Sequence, residues 1–207
     1  LLLSACGDKD QAPRSGFYIN GKVQPAAGIK EVSIQELTPN GLIMLDTALL
    51  DASGNFVLNA QLPEKTFCVL RFEKGDLVLL VDSNSQLNIS LDPANLKNYS
   101  VSGSKENEEL KELYLLNDSF MRQSQAINAR FQGINADNIT DAQQEAVSQA
   151  FDSLQQAHQK AIKALAGSMT NSMVPYFATT FLLPEPDLPF LEAIDNTLYP
   201  KFQNSKY

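Results

Sequence analysis

The hydrophobic period of this chain changes once, at Gly103-Ser104, and the change constrains the fold more than any other feature. Before it, apolar and polar residues alternate, the period of a strand with one buried face. After it, apolar residues recur every three or four positions, the period of a helix with one buried stripe. Neither pattern keeps a face apolar in the other conformation, so the two halves must build different structures.

The first half begins with Phe17-Tyr18-Ile19-Asn20-Gly21-Lys22-Val23. Val32–Leu37, Leu42–Leu49, Asn55–Leu58, Thr66–Phe72, Leu77–Val81, Leu87–Leu91 and Tyr99–Val101 continue the series. Turn segments such as Pro39-Asn40-Gly41 and Asp51-Ala52-Ser53-Gly54 part them. Strands every 8–12 residues or so, with Gly, Asn and Asp turns, predict an antiparallel sandwich or barrel. No helix-length connection lies between them, so parallel βαβ units are not expected. Thr66–Phe72 should pair with Leu77–Val81 across Glu73–Asp76, and Asp82-Ser83-Asn84-Ser85 reads as a hairpin turn rather than a calcium loop.

In the second half Ser104 is placed to cap a helix, with Glu106, Glu108 and Glu109 where the dipole favours acid. Leu110, Leu113, Tyr114, Phe120 or Met121, Ile127 and Phe131 form its stripe. Gly133 and Asn135–Asn138 break it, Thr140-Asp141-Ala142-Gln143 fits a capping box, and Gly167 reads as the stop of a second helix about 40 Å long. The stripe of that helix is Val147, Phe151, Leu154, His158, Ile162 and Leu165. Two long helices with a short link predict an antiparallel hairpin. Asn171 or Ser172 then caps a short helix through Phe177, Phe181 and Leu182; Pro184-Glu185-Pro186 stops it, and Asp187 caps a last one ending at Pro200. The expected class is α+β: residues 1–15 as a leader remnant and linker, 16–103 as an antiparallel β domain, and 104–207 as a long helical hairpin with two short helices.

The ends carry an address. Leu1-Leu2-Leu3-Ser4-Ala5-Cys6-Gly7 has the form of a lipobox closing a bacterial lipoprotein signal peptide, which makes Cys6 the expected lipidation site. The alternative is that Leu1–Leu3 open a core strand and Cys6 is buried. The polar run Gly7–Ser15 behind it favours the lipobox, and Gly7, unlike an Asp there, reads toward an outer-membrane lipoprotein facing the periplasm. Phe202–Tyr207 has no stop signal and reads as a chain cut at a linker. With 16 Lys and Arg against 24 Asp and Glu, the net charge of −8 argues against a nucleic-acid partner.

Candidate chemistry is sparse. Cys68 stands in the apolar run Thr66–Phe72 and reads as a small core hydrophobe, because redox work needs a lowered pKa and a partner thiol. His158, the single histidine, reads as an edge or core residue hydrogen-bonded locally; a zinc site would need three or four ligands. Asp46 with Asp51, and Asp76 with Asp82, are the carboxylate pairs an acid/base reading would use, but Asp at strand ends is a common turn device. Gly-x-Ser-x-Gly and both glycine-rich phosphate loops are absent. No catalytic, metal or cofactor residue is assigned.

The strand series resembles a domain of unknown function found in Bacteroidetes lipoproteins ahead of a thioredoxin-like domain. Gly16-Phe17-Tyr18-Ile19-Asn20-Gly21, Asp46–Phe56 and Val101-Ser102-Gly103-Ser104-Lys105-Glu106-Asn107-Glu108 carry the resemblance; Asn171-Ser172 and Gln203–Tyr207 are similar to the connector before the redox unit. In that family a Gly-Ser and Asn pair leads from the last strand into a long helix. The family's redox motif is Trp-Cys-x-x-Cys, which this chain, lacking Trp, does not contain. The resemblance implies a non-catalytic, lipid-anchored accessory module of a periplasm-facing thiol–disulfide oxidoreductase, with the membrane and a downstream thioredoxin-like domain as partners. The alternative is a stand-alone envelope lipoprotein binding a small molecule, glycan or protein in the mouth of the β domain.

Overall fold

The computed structural model describes residues 16–26, 28–73, 75–132, 140–182 and 188–207. The expected lipobox with Cys6, the Gly133–Asn138 link, the expected Pro184-Glu185-Pro186 stop and the expected Asp187 cap lie outside the described residues.

Eight strands form two sheets: β1 (Phe17–Val23), β2 (Glu31–Thr38), β3 (Gly41–Leu49), β4 (Asn55–Ala60), β5 (Thr66–Phe72), β6 (Gly75–Val81), β7 (Gln86–Leu91) and β8 (Ser100–Ser102). The first sheet has the order β4-β1-β7-β8 and the second β3-β2-β5-β6. Together they make the expected sandwich. β5 and β6 pair antiparallel from Thr66↔Val81 to Phe72↔Gly75, as the run lengths predict. One pairing departs from the antiparallel expectation: β1 and β7 run parallel, with Ile19 beside Leu87. The chain leaves β1 for the second sheet and returns to β7 from β6, so the parallel pair needs no βαβ helix. For the same reason Asp82–Ser85 is not a hairpin turn. It carries the chain from one sheet to the other, closed by the Ser85 N–H donating to the Asp82 carbonyl (2.9 Å).

Alternation sends Phe17, Ile19, Leu58, Leu70, Leu79, Leu87 and Ile89 into the space between the sheets. β5 and β6 are buried on their other face too. Phe67 and Leu80 lie in a second core with Leu110, Leu113, Ile162 and Ala166, which explains why these two strands read as continuous apolar runs. The outer face of the first sheet carries Asn20, Lys22, Asn88, Ser90, Ser100 and Ser102.

α1 (Lys105–Gln132) and α2 (Asp141–Ser168) form the predicted hairpin, each 28 residues long. Gly103, at φ 95°, turns the chain out of β8; a Cβ there would meet the Gln86 carbonyl oxygen at 2.0 Å. The Ser104 hydroxyl then accepts the Asn107 N–H (3.3 Å), and Thr140 and Gln143 complete the capping box. Full burial ends at Asp118 on α1 and begins at His158 on α2, so only the base of the hairpin docks on the sandwich. Contrary to the sequence reading, α2 runs through Gly167 to Ser168. Burial of Met169 and a Met169 N–H bond to the Ala166 carbonyl (3.1 Å) end it. α3 is short (Val174–Ala178), with Pro175 in its first turn, and α4 spans Leu188–Leu198.

Several polar contacts join the halves, among them the Lys65–Glu106 ion pair (2.6 Å). The side chain of Asn107, fully buried, accepts the Leu80 N–H (2.9 Å) and donates to the Leu80 carbonyl (2.7 Å), satisfying the outward backbone of the edge strand β6. On the same line of the sheet, where Leu80 pairs with Phe67, the β2–β5 register stops at Glu36↔Cys68, and the next rung would be Leu37 opposite Phe67. The Tyr207 hydroxyl occupies it, donating to the Leu37 carbonyl (2.5 Å) and accepting from the Phe67 N–H (3.2 Å). Lys206 pairs with Glu36 beside it.

Candidate functional site

Cys68 lies wholly inside the sandwich, on the inward face of β5. Burial pushes its thiol up to about 12, with the Glu36 charge adding to the effect. The nucleophile in disulfide exchange is the thiolate, so this sulfur is inert in the folded state. Ellman's reagent should leave Cys68 unmodified in the native chain and titrate it fully once the chain is unfolded in guanidinium. Stoichiometric reaction of Cys68 under native conditions would contradict the core placement.

His158 sits at the top of the buried base of the hairpin, where its ring stacks on Phe120 at 4.3 Å between centroids and 19° between planes. The sequence reading expected a locally hydrogen-bonded histidine. Instead, neither ring nitrogen has a hydrogen-bond partner among the described residues, because an aromatic face rather than a polar group faces it across the hairpin. Desolvation lowers its pKa below the ordinary 6.5. The unfolded chain therefore holds the proton more tightly, so stability is complete above the ordinary imidazole pKa and falls as pH drops from it toward the folded value. Urea midpoints should decline between about pH 7.5 and 5.5, across the ordinary imidazole pKa, and His158→Leu should flatten that decline. Midpoints independent of pH in the wild type would remove the burial argument.

The four carboxylates do not converge on one cleft. Asp46 accepts the Thr47 N–H (2.8 Å) and, from the facing sheet, the Asn59 N–H (2.7 Å). Asp51 accepts from the Ser53 and Asn55 N–H groups and from the Asn55 side chain, and these bonds hold its carboxyl below the usual range. Asp82 caps the N–H of Ser83 (2.7 Å). Asp76 grips Arg71 through two bonds of 2.9 and 2.8 Å, and the guanidinium holds its carboxyl low as well. A general acid at neutral pH needs a carboxyl raised toward 7; the two resolved shifts go the other way. Among the described residues, no three His, Cys, Asp or Glu side chains come together as a metal site, and no helix is long and apolar enough to cross a membrane.

A concavity of about 780 Å³ opens at one end of the sandwich beside the β5–β6 turn, lined by Lys30, Glu31, Ser33, Arg71, Glu73 and Asp76. Its walls are charged and hydrogen-bonding, with Arg71 and Asp76 already joined. It can hold a polar ligand by hydrogen bonds. The strand alternation gave no hint of this cleft, which forms where the Gly28–Glu31 segment approaches a turn more than forty positions later.

Residues 17–110 match a protein family described as a domain of unknown function (DUF4369). The match covers the whole sandwich and the first residues of α1, including Asn107. No curated protein matches the chain.

Proposed function

We propose that this chain is a non-catalytic, lipid-anchored accessory module of a periplasm-facing thiol–disulfide oxidoreductase. The observation that carries the reading is the state of its reactive groups. Among the described residues the one thiol is sealed in the core, the imidazole is packed against an aromatic ring, and the candidate carboxylates serve turns and one ion pair. Exchange of a disulfide needs an accessible thiolate and a second thiol, so chemistry of that kind has to come from another domain. The lipobox-like run around Cys6 and the resemblance of the strand series and of Gln203–Tyr207 to lipoproteins that carry a thioredoxin-like domain supply the direction. The sandwich and the projecting hairpin, about 42 Å long at 1.5 Å per residue, would act as spacer and docking surface.

Reading the gene onward from the codon for Tyr207 tests this. A Cys-x-x-Cys pair within about one domain length supports the module; an immediate stop codon overturns it. Insulin reduction by this chain should stay at background. Replacing Cys6 with alanine in the full precursor should move the protein out of the membrane fraction, and continued retention would remove the anchor. One observation favours a second reading: the charged 780 Å³ cleft suits a stand-alone envelope protein that binds a polar ligand such as a glycan at the mouth of the β domain.

A further inference from the structure

Large apolar side chains stand exposed at several places among the described residues, Leu49, Val57, Leu115, Met121 and Leu188 among them, and two of these places gather several such side chains. One is the β2–β3 tip, with Leu42, Ile43 and Met44. The other is concave: a groove of about 220 Å³ between α3, α4 and the C-terminal turn, lined by Tyr176, Leu191, Asp195, Tyr199, Phe202 and Tyr207 among others. Tyr176 and Tyr199 are 44% and 63% exposed there. The rings of Tyr176 and Tyr207 lie 5.5 Å apart, tilted by 49°. Water-facing aromatics gathered along a groove mark a surface that gains by being covered.

Charge chooses the occupant. Asp195 is the single charged residue lining the groove, and among the described residues no ion pair engages it. A carboxylate in a groove also lined by tyrosine rings is complementary to a cation, because the ring faces are themselves electron-rich; the Lys206 ammonium already lies 5.5 Å from the centroid of one of them, Tyr207. The chain's net charge of −8 adds a field that draws cationic partners and repels a second copy. The volume is below the ~300 Å³ at which drug-sized ligands are usually enclosed, so the groove fits side chains of an extended segment rather than an enclosed small molecule.

We propose that this groove seats a partner peptide carrying a basic residue next to a large aliphatic one, the aliphatic group covered by Tyr176 and Tyr199 and the cation paired with Asp195. The probes are N-acetyl-Leu-Arg-Leu-amide and N-acetyl-Leu-Glu-Leu-amide, titrated into the full chain labelled with nitrogen-15. The arginine peptide should give saturable shifts at α3 and α4 amides, and the glutamate peptide should give none. Asp195→Asn should weaken binding about two- to fivefold, the range for an exposed ion pair, and Tyr199→Ser about tenfold or more, as for an aromatic anchor. Both positions are exposed, so unchanged melting curves will show that the variants fold. Equal binding of the two peptides, or no saturable shift at millimolar concentration, overturns the proposal. So does sedimentation showing a dimer that Tyr199→Ser dissolves, which would make a second copy the occupant.

Discussion

Replacing Gly21 with alanine is expected to lower the melting temperature by about 5–10 °C, equivalent to roughly 2–3 kcal/mol for a chain of this size. Gly21 lies opposite Phe56 in the β1–β4 register, on the inward face of the sandwich. The Phe56 ring occupies the space a side chain would fill: a Cβ built on Gly21 would lie 1.8 Å from Cζ and 2.2 Å from Cε1. Phe56 is itself buried in the core, so its ring cannot swing aside without leaving a void or entering a filled one. Alanine at position 21 therefore costs overpacking, although it is the smallest side chain available. The double variant Gly21→Ala with Phe56→Leu should recover part of the loss by returning the space. Calorimetry of the two variants checks this, and a single variant that melts with the wild type would refute the close approach.

The second large effect is expected at Asn107. Changing it to leucine should destabilise the chain by about 3 kcal/mol, because one substitution strands two buried backbone groups, each worth roughly 1–3 kcal/mol when left unpaired. The Leu80 N–H and carbonyl both depend on this side chain, and Leu80 itself is buried beneath α1, where water cannot replace the amide. Asn107→Asp keeps an acceptor for the N–H and, where its carboxyl is protonated, an O–H donor for the carbonyl, so at low pH it should fall between the wild type and leucine. Urea unfolding measures the loss, and hydrogen exchange locates it: the Leu80 amide should lose protection more than its neighbours on β6. A loss below about 1 kcal/mol would mean that the pair contributes little and that apolar packing alone seats the helix.

Asn107 also shows how far residues can be read before they are folded. The Gly103-Ser104 turn into α1 was legible because each signal is local: a glycine for the positive φ, a hydroxyl for the first turn, acids at the dipole's positive end. The role of Asn107 was not, since its partner lies 27 residues away on a strand whose edge only the assembled sheet defines. The Tyr207 hydroxyl, 170 positions from the carbonyl it binds, is the same case at greater range.

The candidate site divides in the same way. Cys68 was placed correctly from its apolar run, because a sulfur among large hydrophobes has little choice of environment. The turn roles of Asp51 and Asp82 followed from their spacing to nearby backbone. The hydrogen bond expected for His158 failed because helical period reports which face is buried and not what faces it; Phe120 came from the other helix. The Asp46 bond to Asn59 crosses between sheets. The sequence had no means to foresee it.

Periodicity, turn chemistry and capping act over a few residues, and they settled by themselves that eight strands precede a helical hairpin with two short helices behind it. Which strands became neighbours, that β1 and β7 run parallel, that Gly21 must stay bare, and that tyrosines and Asp195 line one groove were decided only in three dimensions. Each depends on contacts between segments far apart in the chain, and such contacts are selected by how well two surfaces pack once both exist, a quantity no local pattern encodes.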